Sequence, residues 1–151
     1  MSFAQPSLKG RALRLLSMRE HSRVELERKL ARFEEEEGTL AKALDELQVK
    51  GFINEARVIE SVLHRRAGKL GAARIKQELQ SKGLDPQAVR DAVTGLQETE
   101  NTRAQEVWRR QFGAAPTDAQ DTMRQLLFLA TRGFATDAIP RVVGGTTEDF
   151  Y

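Results

Sequence analysis

No cysteine occurs among the 151 residues, so the chain has neither a disulfide framework nor a thiolate metal site, an inventory that fits a reducing compartment. Histidine is nearly as scarce: His21 and His64 are too far apart in sequence to form a helical ligand pair, and no metal site is expected. No apolar run approaches the ~18 residues of a membrane span, and the opening MSFAQPSLKGR lacks the basic-then-apolar layout of a secretory signal. Nucleophile motifs of the G-x-S-x-G or S-x-x-K type are missing. The segment GKLG around Lys69 lacks the earlier glycine and the following Ser or Thr of a phosphate-binding loop. These absences predict a cytoplasmic protein with no membrane association, no cofactor, no metal and no catalytic residues.

What is present is a charged, helix-forming chain. Hydrophobic residues make up 40% and charged residues 30%, and a chain of this length buries roughly two-thirds of its unfolded surface when it folds. The net charge of +2 conceals an uneven distribution. Between Arg57 and Lys82 stand seven cations (Arg57, Arg65, Arg66, Lys69, Arg74, Lys76, Lys82) against Glu60 and Glu78, a local +5; the remainder holds 17 cations and 20 acids. A positive middle between near-neutral flanks attracts an anionic partner at long range and is screened by salt. The bland alternative is that these cations only solubilise helix faces.

Apolar residues recur at helical spacing throughout, with no sustained alternation, which predicts an all-α protein. Nine helices are expected, at about 11–20, 22–33, 40–49, 54–67, 72–81, from 86 onward, 102–112, 118–132, and a short last one interrupted or kinked at Pro140. Ser22, Asn54 and Asp85 stand where helix caps belong, Asp85 being followed by Pro86 at the first helical position. Gly51, Gly71, Gly83 and Gly133 mark structural turns. On the fourth helix Arg57, Ser61, His64 and Arg65 share one exposed side, and Arg74 and Glu78 are spaced to pair. Trp108 and Phe112, beside Ala104 and Val107, read as core; Phe150 and Tyr151 read as the only exposed aromatics. The run Glu34 to Glu37 reads as a solvated helix end, or as an edge that repels nucleic acid.

The chain also repeats itself. KGLDPQAVRDAV, from Lys82, aligns with RGFATDAIPRVV, from Arg132, at an offset of 50 residues. A weaker counterpart, ELERKLARF and TLAKALDEL with the acidic insert EEEEG between, precedes them. The expectation is three tandem three-helix repeats in an elongated, curved body: 8–53, a basic 54–99, and 100–145, flanked by a flexible N-terminus over 1–7 and a flexible tail over 146–151. The basic face of the second repeat is the candidate partner-binding site, comprising Arg57, His64, Arg65, Arg66, Lys69, Arg74, Lys76 and Lys82.

Several segments, in order, resemble the RecX family, small bacterial regulators of the RecA recombinase: RALRLLSMREHSRVELERKL, LDELQVKGFINEARVIES, GKLGAARIKQELQSKGL, VWRRQF and FLATRGFATDAI. The resemblance covers about residues 9 to 143. It implies a non-enzymatic, all-helical protein of three helix-turn-helix-like units. Such a protein binds the RecA nucleoprotein filament on single-stranded DNA, docks in its groove, and restrains ATP hydrolysis, strand exchange and co-protease activity. Positions matching the family pattern are Arg57, Gly71, Arg74, Ile75, Leu79 and Gly83, the arginines as contacts and the others as structural residues. Where family members often place two aspartates and an aromatic around Arg57, this chain has Asn54, Glu55 and Val58. A monomer is expected, with weak direct DNA contact. The alternative reading is a direct DNA-binding helix-turn-helix-like module.

Overall fold

Most helix starts are written in short polar side chains. Ser7, Ser22, Asn54, Asp85 and Asp118 each accept a hydrogen bond from the backbone amide three residues on, satisfying one of the donors a helix leaves open at its N-terminus. In the computed structural model, which describes residues 5–144, they begin five of nine α-helices. These are α1 (Leu8–Met18), α2 (Arg23–Leu30), α3 (Thr39–Val49), α4 (Glu55–Arg66), α5 (Ala72–Ser81), α6 (Pro86–Glu98), α7 (Glu100–Gln111), α8 (Ala119–Thr131) and α9 (Ala138–Val143). No strand occurs among the described residues. The tail aromatics Phe150 and Tyr151, with the rest of 146–151, and residues 1–4 of the N-terminal arm lie outside the described residues.

Three details differ from the sequence reading. The second helix stops at Leu30 and tightens into a 3-10 turn over Ala31–Phe33. From there Glu34 reaches forward, its Oε2 accepting from the Leu40 amide at 2.9 Å, so one acid of the Glu34 to Glu37 run caps α3, whose own N-cap is a glycine. Pro140 does not break α9: it falls in the first turn, where its missing N–H has no intrahelical partner to lose.

Buried apolar side chains gather in three clusters, each drawn from one consecutive triplet of helices. Leu26, Leu30, Leu44 and Leu47 centre the first, under α1–α3. Val58, Val62, Ile75 and Leu79 centre the second, under α4–α6. Ala104, Leu129, Phe134 and Ile139 centre the third, under α7–α9. Trp108 packs on that last cluster with its indole N–H donating to Gln125 Oε1 at 2.7 Å, and Phe112 meets Phe128 edge-on at 5.1 Å. Phe52, in contrast, is 47% exposed although it lies well before the tail. Its amide closes the turn after α3 by donating to Leu47, and the next residue, Ile53, takes the buried place.

The 50-residue sequence repeat marks the seams between triplets. At the first seam Arg28 Nη1 donates to the Ser81 carbonyl at 2.7 Å and Lys82 Nζ meets Glu25 Oε1 at 3.1 Å. At the second, Arg74 Nη1 donates to the Thr131 carbonyl at 2.6 Å, and the Gly71 and Ala73 amides donate to Arg132 and Gly133. In both, the last turn of a triplet's middle helix (α5, then α8) sits on the first turn of the preceding middle helix (α2, then α5). Gly83 and Gly133 are the pivots. Their φ angles of 66° and 84° are left-handed, and a Cβ would strike Val24 at the first seam and Arg74 at the second. Gly71 is extended rather than left-handed; there a side chain would collide with the Gly133 carbonyl, so the constraint is close backbone approach.

Candidate partner-binding faces

The outer side of α4 carries Arg57, His64 and Arg65 in the open, as helical spacing requires. Arg57 is nevertheless committed. Its Nε meets Glu20 Oε1 at 2.9 Å while Nη2 donates to the carbonyls of Gly51 and Phe52 at 2.6 and 3.3 Å, tying α4 to the turn after α3. One residue past Arg65, Arg66 Nε meets Glu78 Oε1 at 3.1 Å, and Arg65 lies 3.9 Å from the other oxygen of the same carboxylate. The Glu78 partner is thus on α4, not Arg74 one turn away on α5, because Arg74 is drawn across the second seam to Thr131.

Lys82 is a clear departure from an outward basic face. It is only 8% exposed, and its ammonium is held by Glu25, which also receives Arg19 Nη2 at 2.7 Å and the Ser22 amide at 3.0 Å. Burial pushes the Glu25 carboxyl up, but these three donors outweigh it and hold the group down at about 2. The cluster is a structural clamp between the first two triplets. Asn54 and Val58 have structural work as well: Asn54 caps α4 and Val58 belongs to the second core.

His64, Lys69 and Lys76 are exposed, and none of them is ion-paired to an acid among the described residues. Lys69 is the one that finds company. It borders a depression of about 290 Å³ at the second seam, together with Arg110 and Arg132, and no acidic residue lines this hollow. Both arginines are held in place: Arg110 Nη2 donates to the Gly68 carbonyl at 2.6 Å, and Arg132 stacks over the Phe128 ring at 3.3 Å while donating to the Phe128 carbonyl. Three positive groups therefore converge on one concavity, two of them pre-oriented arginines suited to planar anionic groups such as carboxylate or phosphate.

Arg110 and Arg132 lie outside the positive stretch Arg57 to Lys82, so a charge census along the chain passes over them. For Arg132 the signal is the repeat, which puts it where the second triplet has Lys82; Arg110 has no such counterpart. Arg103 is a further residue the linear reading missed: half-buried, it donates to the carbonyls of Ala67, Leu70 and Leu96 and so binds the α4–α5 turn to the start of α7. Beside it the buried Glu100 accepts from the Ala72 amide and caps α5. Among the described residues no group of three or more His, Asp or Glu side chains is placed to hold a metal ion, and no helix is long and apolar enough to cross a membrane.

Comparison with known proteins gives a consistent result. Residues 9–47 match the RecX first three-helix domain and residues 54–93 the RecX second three-helix domain. The regulatory protein RecX of Leptothrix cholodnii is 50% identical over 139 residues, covering 92% of this chain and 88% of that protein. That of Herminiimonas arsenicoxydans is 44% identical over 149 residues, with 99% of both chains covered. The crystal structure of RecX from Lactobacillus salivarius shares the fold, with a TM-score of 0.69 and 24% identity over 93% of this chain and 95% of that one.

Proposed function

The chain belongs to the RecX family of regulatory, non-enzymatic proteins, and from that premise we propose that it regulates the RecA recombinase by lying in the groove of its filament on single-stranded DNA. On this reading it is a cytoplasmic monomer with units at 8–53, 54–99 and 100–145, and the concavity bordered by Lys69, Arg110 and Arg132 meets acidic side chains or phosphates of the filament. The observation that carries the proposal is this convergence of three cations on a hollow without acids. Occupying the groove hinders protomers from adding or changing state, which lowers ATP hydrolysis, strand exchange and co-protease activity with no chemistry by this chain. Lys76 extends the positive surface on α5, with the exposed His64 beside it on α4, whereas Arg57, Arg74 and Lys82 act on the partner only indirectly, by holding the triplets in register.

The experiment is a titration of DNA-dependent ATP hydrolysis by the cognate recombinase. Inhibition that saturates at a fixed ratio of this protein to recombinase is expected, and undiminished turnover at saturating protein rejects the proposal. Tight binding to single- or double-stranded DNA without recombinase, falling steeply with salt, would favour the direct DNA-binding alternative.

A further inference from the structure

The first triplet carries a second positive surface of a different kind. Between α1 and the end of α2 lies a groove of about 420 Å³, within the size range of sites that enclose a small ligand or a side chain. Its floor is apolar, formed by Leu15, Leu30 and Phe33, and its rim holds four cations, Arg11 and Arg14 on one wall and Lys29 and Arg32 on the other. Each wall presents its pair at i, i+3, the spacing that brings side chains to one side of a helix.

None of these four is ion-paired to an acid among the described residues, in contrast to Arg57, Arg66 and Lys82 of the basic middle. Arg11 is held over the Phe33 ring at 3.7 Å and donates to Gln5, and Arg32 approaches the same ring at 4.6 Å. Lys29 has His21 Nε2 at 3.0 Å, a neutral acceptor that leaves the ammonium charge uncompensated. The rim is therefore a set of unneutralised cations around an apolar trough, three of them (Arg11, Lys29 and Arg32) held by a neighbouring group.

We propose that this groove is a docking site for a short acidic segment of a partner protein, one apolar or aromatic side chain of which fills the trough while flanking carboxylates meet the rim. Charge complementarity selects the acidic partner, and guanidinium groups take carboxylates through paired N–H donors. The floor selects an apolar anchor over a nucleobase, because the edge of a base buried there would lose its hydrogen bonds to water without replacement. Glu35 and Glu36 share the adjoining depression with Arg11 and Arg32, so the stretch that favours an anion is short on that side and suits a short segment rather than a long polyanion. This surface is separate from the Lys69, Arg110 and Arg132 concavity and does not depend on the role assigned to it.

The test uses the full chain and fluorescence anisotropy with four labelled probes. These are a short Glu/Asp-rich peptide with a central Phe, the same peptide with Ser for Phe, the same with Gln and Asn for its acids, and a single-stranded oligonucleotide of similar length. The first peptide should bind, and either change to it should weaken binding by about tenfold or more. Arg14→Glu with Arg32→Glu, both exposed positions whose reversal leaves the core untouched, should abolish binding with an unchanged helical circular dichroism spectrum. Lys69→Glu with Arg110→Glu should leave it intact. Absence of binding by the acidic Phe peptide, or binding indifferent to the Arg14 and Arg32 reversals, overturns the proposal. An oligonucleotide that binds more tightly than the peptide, and loses that binding on the same reversals, reassigns the groove to nucleic acid and overturns it equally.

Discussion

Lys82 and Glu25 meet at 3.1 Å across the seam between the first two triplets, with only about a tenth of either side chain open to water. One carboxylate there collects Lys82, Arg19 and the Ser22 amide, and this makes the seam sensitive to acid.

Glu25 is held near 2 in the folded chain against an ordinary value of 4.5. Its contribution to stability is complete above the unfolded value and is lost as pH falls from about 4.5 through about 2; the difference corresponds to ~3 kcal/mol. Urea unfolding at a series of pH values should show this slope, and Glu25→Gln should remove it while lowering stability at neutral pH by about 3 kcal/mol, the cost of stranding the buried Lys82 ammonium.

His21 gives a second pH window by a different route. Burial lowers its pKa from the ordinary 6.5, with the cations of Arg19 and Lys29 adding to the effect against an opposing hydrogen bond to the Arg19 carbonyl. The folded chain binds the proton less readily than the unfolded one, so stability is full above about 6.5 and declines as pH drops through the folded value. An NMR titration should place the His21 midpoint below 6.5. In His21→Gln the fall in stability just below neutrality should flatten.

The glycine pivots separate turn geometry from simple backbone freedom. Gly133→Ala puts a methyl into Arg74 at a left-handed φ and should cost about 2–4 kcal/mol, read as a lower denaturation midpoint. Gly95→Ala, in the exposed interior of α6 with open space around the new methyl, should instead stabilise by about 0.5–1 kcal/mol.

Cations at the second seam divide by role. Arg74→Ala removes a hydrogen bond to Thr131 and should lower stability by about 1 kcal/mol. Lys69→Glu with Arg110→Glu should leave helicity intact and cut inhibition of recombinase ATP hydrolysis at least tenfold, by the rough worth of two charge contacts. Equal inhibition by that double variant would remove the concavity from the proposed interface.

Local rules carried the sequence reading a long way. Capping by Ser22, Asn54 and Asp85 is visible from residue type and spacing, and the Lys-Gly and Arg-Gly repeat announces the two turns that join the triplets. What a linear charge count misses is pairing at a distance: Glu20 and Glu25 neutralise Arg57 and Lys82 from 37 and 57 positions away in the chain. The same blindness hides the first triplet's groove, where four unpaired cations disappear into the average because Glu34 to Glu37 follow them. Sequence density of charge measured how many cations were present; only the fold says which are already spoken for.

Seams cut to one pattern also say how such a chain can grow. A duplicate of the second triplet, which has both the glycine-ended tail and a head that receives one, would carry both halves of a seam contact. Length in this architecture is an inheritable variable that changes by whole modules.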